Sequence, residues 1–119
     1  MPEFKPKLRE TPKGLLSYDL GADAVLIFPI AERLQERFGL QAGRMPVFGL
    51  DSALVELLTP EPERVPIVVG WDIWSDLFIM SMDVRANDLI KEIAAFLNSI
   101  SKELEELESQ LLKEDRKGH

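Results

Sequence analysis

The residues best suited to chemistry in this sequence are carboxylates, and many of them lie between positions 51 and 83. Asp72 and Asp76 flank Trp74 in the stretch IVVGWDIWSDLFIMSMD, residues 67–83. Two carboxyl groups at a fixed separation can serve as the acid and the base or nucleophile of a glycosidase. Seven acids in residues 51–84 make a chance pair common, however, and no pattern places Asp72 and Asp76 in a cleft. We therefore predict no catalytic residues.

Other kinds of site are disfavoured by composition. The chain has no cysteine, which excludes disulfides, thiolate nucleophiles and cysteine-ligated zinc or iron–sulfur centres. Its one histidine is His119, the last residue, which argues against histidine-based acid–base catalysis and serine triads. The acids lack the spacing of a calcium loop, and no glycine-rich phosphate-binding motif is present. The sequence therefore predicts no metal and no cofactor.

The distribution of charge favours a basic protein partner. The formal net charge is −7, and residues 51–84 hold seven acids against Arg64 alone, a local charge of −6. Residues 1–14 hold four cations against two acids, and no larger basic cluster occurs that would attract a phosphate backbone. We therefore expect no nucleic-acid binding and a protein partner that is basic. The alternative is that the acids only keep the protein soluble.

The stretch around the two tryptophans predicts a β-hairpin over residues 65–82. Residues 65–74 are rich in β-branched and aromatic side chains, residues 77–82 are apolar, and Ser75 and Asp76 between them are typical of a turn. On the first strand every odd-numbered residue from 65 to 73 is apolar, which indicates a core face. Gly70 indicates either a bulge or a close approach by another group.

The other face of this hairpin is too apolar to be freely solvated. It carries Trp74 beside Asp72, followed by methionines on the returning strand. Tryptophan and methionine are common in protein interfaces, where a large ring or a flexible thioether adapts to a partner. We therefore predict a partner-binding surface made of Asp72, Trp74, Asp76, Met80 and Met82.

The remaining elements are predicted from periodicity, capping residues and breakers. Residues 1–13, with three prolines, form an extended lead-in, and residues 14–20 form a first strand. Residues 23–28 form a buried strand followed by a helix over 29–39; alternatively the helix begins near Asp23 and kinks at Pro29. Further strands are expected at 45–50 and 53–58, although the second could be a helical turn capped by Asp51. All of these predictions rest on the printed sequence.

A long helix is predicted over residues 86–113, which contain no proline and no glycine. Its apolar residues alternate in steps of three and four from Ile90 to Leu111. Twenty-eight helical residues span roughly 42 Å, whereas a compact domain of this size is about 35 Å across. We therefore expect Leu104, Leu107 and Leu111 to overhang the domain and form the interface of a homo-oligomer, a dimer or larger. The alternative is that this seam packs on the N-terminal segment of its own chain.

Together these elements predict one α+β domain over residues 14–119, with a mainly antiparallel sheet packed on the helices. No apolar run is long enough to span a membrane and the start is not a secretory signal, so we expect a cytoplasmic protein. A small, acidic, cysteine-free chain of this kind is similar in composition to immunity proteins, antitoxin-type inhibitors and secretion chaperones. The sequence favours a non-enzymatic, inhibitor-like or chaperone-like protein-binding module. The alternatives are a small-molecule-binding or carboxylate-dependent catalytic domain with a pocket beside Trp74, and a structural homo-oligomer subunit.

Overall fold

The computed structural model describes residues 4–117, and the side chains of residues 4–114. It is an α+β structure, as predicted, in which an antiparallel sheet carries helices on one face. The strands are β1 (Lys7–Glu10), β2 (Leu16–Asp19), β3 (Gln41–Ala42), β4 (Val47–Phe48), β5 (Ser52–Leu58), β6 (Pro66–Asp72) and β7 (Asp76–Ser81). The helices are α1 (Ile27–Phe38), α2 (Asn87–Ser99) and α3 (Ser101–Lys117), and short 3₁₀ segments at Ala24–Leu26 and Val84–Ala86 precede α1 and α2.

The strands run in the order β1-β2-β7-β6-β5-β3 across the sheet, and β4 also pairs with β5. The predicted hairpin is confirmed as β6 and β7, but its turn comes earlier, at residues 73–75. The side chain of Asp72 sets this turn, because its Oδ1 accepts the backbone N–H groups of Trp74 at 2.9 Å and Ser75 at 2.6 Å. Asp76 then takes the left-handed conformation, with φ of 56°. Trp74 therefore lies on the turn and not on a strand.

The core lies between the sheet and the helices. The predicted core face of β6 is confirmed, since Ile67 and Val69 are fully buried and Trp71 packs at the margin of the same cluster. The helices contribute their own buried residues, among them Leu34, Ile93 and Leu97. Strand alternation thus separates a helix-covered face from a second face of the sheet.

The segment before α1 is the clearest error of the sequence prediction. Residues 23–28 are not a strand: a 3₁₀ turn begins at Ala24 and α1 at Ile27. Asp23 starts this helical segment by accepting the N–H of Val25 at 2.9 Å. Pro29 lies in the first turn of α1, where its missing N–H leaves no hydrogen bond unmade. The helix ends as predicted at Gly39, which is left-handed with φ of 66°.

Two further segments differ from the prediction. The lead-in expected over residues 1–13 contains β1, which pairs with β2, while residues 1–3 lie outside the described part of the chain. The strand expected at 45–50 is shortened to β4, and residues 53–58 belong to a strand and not to a helical turn. Residues 53–58 are assigned to a strand because β5 pairs with β6 along its whole length.

The C-terminal helix is broken at Ile100, where φ is −112° and ψ is 20°. After this break α3 packs on the 3₁₀ segment before α1. Its carboxylates accept two distant backbone N–H groups, that of Phe4 at Glu105 and that of Asp23 at Glu108, both at 2.7 Å. Leu104 is fully buried in its own chain. The predicted overhang is therefore wrong, because the break brings the seam back onto the domain.

The described residues form a body with a radius of gyration of 13.9 Å and extents of 44 × 27 × 26 Å. Within residues 4–117, no helix is both long enough and apolar enough to cross a membrane.

Candidate functional site

One face of the sheet is packed against the helices, and no element of the described residues covers the other. We call this second surface the open face. It is formed by alternate residues of the three central strands, namely Leu54, Glu56, Pro66, Val68, Gly70, Phe78 and Met80, with Met45, Val47 and Met82 at its margin. The register places these side chains in rows across the sheet, with Gly70 between Leu54 and Phe78, and Val68 between Glu56 and Met80.

Gly70 lies at the centre of the open face, and its two neighbours pack over it. A Cβ atom at this position would be 2.7 Å from Cζ of Phe78 and 2.8 Å from Cδ2 of Leu54. The ladder continues through Gly70 with no extra residue. Of the two predicted roles for this glycine, close approach is therefore right and the bulge is wrong.

A groove of about 470 Å³ runs along the open face beside β4 and β5. Its lining is mostly apolar and includes Met45, Val47, Leu54, Pro66, Val68 and Met82. Several of these side chains are strongly exposed, Met45 at 86% and Val47 at 64%. Val68, by contrast, is only 7% exposed. The groove is thus concave and apolar, and the side chains most exposed to solvent lie around Val68.

The two charged residues in the groove neutralise each other. Arg44 donates to Glu56 from its backbone N–H at 3.1 Å, from Nε at 3.3 Å and from Nη2 at 2.8 Å. These hydrogen bonds lower the pKa of the Glu56 carboxyl below its ordinary value and raise that of Arg44. Glu56 is consequently held as a paired carboxylate and is poorly suited to proton transfer.

The hairpin turn extends the open face into an exposed apolar end. Trp74 is 81% exposed at the turn, and Leu50, on the neighbouring turn between β4 and β5, is 99% exposed. The two turns are joined by a hydrogen bond of 3.1 Å from the N–H of Ile73 to the carbonyl oxygen of Asp51. We call this region, with Leu50, Asp51, Asp72, Ile73, Trp74 and Asp76, the turn end.

The acids of residues 51–84 do not form one surface. Asp51, Asp72 and Asp76 lie at the turn end and have no ion pair among the described residues. Glu61, Glu63 and Asp83 lie at the opposite end of the strands. There Glu61 pairs with Arg64 and Asp83 with Arg85, which lowers the pKa of Asp83. Of the seven acids in residues 51–84, three without an ion pair therefore lie together at the turn end.

The predicted partner-binding residues are spread along the whole hairpin, from Trp74 on the turn to Met82 at the opposite end of the strands. Asp72 and Asp76 are direct cross-strand partners, and Met80 and Met82 follow along the same face, with Trp74 at the turn. The sequence prediction missed Met45, Val47 and Leu54. Alternation in residues 53–58 could have found Leu54, because it puts this apolar residue on the side away from Ala53 and Val55.

The predicted oligomer interface does not lie on an exposed surface. Leu104 has no exposed area, and Leu107 and Leu111 are partly buried against the core cluster. All three leucines therefore pack in the core cluster of their own chain or against it.

Within the described residues, no group of three or more acidic, histidine or cysteine side chains is arranged to hold a metal ion. Comparison of the chain with models of known protein families, with curated proteins and with solved structures finds no significant match to any of them.

Proposed function

We propose that this protein is a non-enzymatic binding module, inhibitor-like or chaperone-like, that engages a basic protein through the open face and the turn end. One observation carries the proposal: exposed apolar side chains, among them Leu54 and Met82, surround the centre of the open face, and the same hairpin ends in an exposed tryptophan flanked by two unpaired carboxylates. Monomeric proteins seldom expose contiguous apolar patches of more than a few hundred Å² without using them for recognition.

The residue types on this surface suit protein recognition. Burying Trp74 and the exposed methionines against a partner would remove apolar area from water at about 25 cal/mol per Å². Tryptophan commonly dominates the energy of an interface, and methionine adapts its shape to the partner. The β6–β7 hairpin therefore supplies a tryptophan that a partner can bury and methionines that adapt to the shape of that partner.

The charge beside this surface favours a basic partner. Asp72 and Asp76 face each other across the last rung of the hairpin, and Asp51 lies on the adjoining turn. Because no cation among the described residues pairs with them, they attract a positively charged protein and hold it in one orientation. Their main expected effect is on the rate of association, and it weakens as salt is added.

The same geometry gives less support to the alternative of a carboxylate-dependent catalytic domain or a small-molecule site beside Trp74. The apolar groove contains one carboxylate, Glu56, and Arg44 holds it. Trp74 does not line this groove. Asp72 and Asp76 lie on a turn, and Asp72 already caps it through one oxygen.

Affinity capture with matched variants tests the proposal. Immobilised wild-type protein is compared with Trp74→Ala, with Leu54→Ala and with the pair Asp51→Asn and Asp76→Asn, using extract of the source cells and quantitative mass spectrometry. We expect one basic protein to be retained by the wild type and to be lost with each of the three variants.

Two controls match these changes away from the proposed surface. Leu8→Ala removes a leucine of similar exposure, 44% against 40% for Leu54, from the helix side of the sheet. The pair Glu92→Gln and Glu106→Gln changes the net charge equally at exposed sites on the helices α2 and α3. Retention that falls as much with the controls, or not at all with the three variants, would contradict the proposal.

A further inference from the structure

We infer that the segment of the partner that docks on the open face is a basic amphipathic helix, lying obliquely across β5 and β6 with its apolar stripe in the groove. This inference rests on the proposed function and specifies the partner chemistry for the same surface. Two other occupants fit the open face less well, a second copy of the chain and an added strand.

A second copy fits the open face poorly. Two sheets that pack face to face as a closed dimer are related by a two-fold axis in the plane of the interface. An axis along the strands brings Asp72 and Asp76 of the two copies to the same end. An axis across the strands brings them over the opposite end, where Glu61, Glu63 and Asp83 lie. At that end Arg64 pairs with Glu61 and Arg85 with Asp83, so three acids stand beside two cations. Neither arrangement therefore places a surplus of cations over Asp72 and Asp76, whereas a basic partner does.

Addition of a strand at a sheet edge is also disfavoured. At one edge β1 presents Lys7 and Arg9 on the side of the open face, and charged residues of this kind discourage pairing. The other edge is discontinuous, because β3 and β4 have two residues each and are separated by residues 43–46. The surface offered to a partner is therefore the face of the sheet and not its edge.

The dimensions of the face suit a helix. The seven residues of β5 span roughly 24 Å along the sheet, and a helix of 14 residues is about 21 Å long. Side chains at positions i, i+3, i+4 and i+7 of such a helix form an apolar stripe. Leu54 on β5, Val68 on β6 and Met82 just after β7 line the groove in successive rows of the sheet, so a stripe that contacts all three crosses the strands obliquely.

Charge then specifies one end of the helix. At the turn end the strands under the groove are bounded by Asp72 and Asp76, which have no ion pair among the described residues. At the other end the acids stand beside Arg64 and Arg85. A helix with lysine or arginine near one end places cations beside Asp72 and Asp76, while its centre contacts Leu54 and Val68. The partner segment we infer is therefore apolar along one stripe and basic at the end that lies at the turn end.

Three labelled 14-residue peptides of identical leucine and lysine composition test this inference by fluorescence anisotropy. In one the leucines follow helical spacing, in the second they alternate, and the third is scrambled. We expect the helical peptide to bind wild-type protein about tenfold more tightly than the other two, with a rise in its helical circular dichroism signal on binding. Leu54→Ala should remove this advantage, and Leu8→Ala should retain it.

Stronger binding of the alternating peptide would overturn the inference in favour of an extended segment. Equal binding of all three would mean that charge alone selects the ligand, and an unchanged advantage with Leu54→Ala would place the helix elsewhere. The proposed function is tested separately, and it fails if affinity capture is insensitive to changes at Trp74 and Leu54. If capture of the partner depends on both residues while the three peptides bind equally, only the inference of a helical segment is contradicted.

Discussion

The ring of Phe78 lies directly over Gly70, so that a Cβ atom on the glycine would stand 2.7 Å from Cζ of the ring. The two residues are cross-strand partners in the central hairpin. This contact closes the middle of the open face and leaves Phe78 only 9% exposed, although no helix covers it. Glycine at position 70 is therefore required for packing on the side of the sheet that is proposed to bind.

Gly70→Ala should lower the free energy of unfolding by about 1–3 kcal/mol, because the added methyl forces Phe78 and Leu54 aside. Urea denaturation measures the change. Gly49→Ala is the control, since its nearest non-local atom is Ser52 O at 3.7 Å, an ordinary contact. If the two variants lost stability equally, the close packing over Gly70 would have no energetic consequence.

Asn87 is the first residue of α2, and its side chain forms hydrogen bonds with three other residues. We expect it to contribute more to stability than an ordinary residue at a helix start. Its Oδ1 accepts from Leu16 N–H at 3.1 Å and from Ser81 Oγ at 2.7 Å, and its Nδ2 donates to the Gly14 carbonyl at 2.8 Å. Asn87→Ala removes the donor to the Gly14 carbonyl and leaves Leu16 N–H only its 3.2 Å hydrogen bond to Ser81 Oγ, which should cost about 1–3 kcal/mol. Faster hydrogen exchange of the Leu16 amide would accompany the loss. Asn98→Ala, at an exposed position on the same helix, should change stability little; equal losses would argue against the network.

The hairpin could be predicted from the sequence because its information is local. The alternation Val65, Ile67, Val69 identifies the core side of β6 whatever lies around it. The position of the turn could not be predicted in this way, because Asp72 ends the strand by accepting the N–H groups of Trp74 and Ser75, which follow it. The acids of residues 51–84 are close in sequence but do not form one surface, since successive antiparallel strands carry them alternately to opposite ends of the sheet.

Leu104→Ala should destabilise the protein by about 2–5 kcal/mol, as expected for a leucine with no exposed area. Thermal and chemical denaturation measure the loss, and Glu106→Ala, at an exposed neighbouring position, is the control. Sedimentation of both proteins at tens of micromolar then separates folding from assembly. A Leu104→Ala protein of unchanged stability that loses self-association would restore the oligomer interface predicted from the heptad pattern.

The break at Ile100 could not be predicted from residue types, because neither proline nor glycine occurs there. It depends on contacts far apart in sequence, since Glu105 and Glu108 accept N–H groups from Phe4 and Asp23. A heptad pattern indicates that one side of a helix is buried but does not say against what. Here the apolar seam is buried by its own chain, and the exposed apolar surface lies on the sheet instead.

The ion pair of Glu56 with Arg44 predicts a dependence of stability on acid pH. Hydrogen bonds from Arg44 lower the pKa of Glu56 in the folded protein below its ordinary value of 4.5. The stabilisation is therefore complete above that ordinary value and is lost as the pH falls through the lowered one. Glu56→Gln should be less stable than wild type at pH 7, and the difference should disappear in strong acid. A difference that stayed constant from pH 7 to pH 2 would rule out this linkage.

The most direct test of the proposed function is site-specific photo-crosslinking in living source cells. A benzoylphenylalanine is placed at Met82 or Trp74, on the proposed surface, or at Glu106, exposed on α3. We predict that positions 82 and 74 capture the same protein, which is basic and is not a second copy of this chain, and that position 106 does not. Capture of that protein only from position 106, or crosslinks from positions 82 and 74 only to another copy of this chain, would contradict the account.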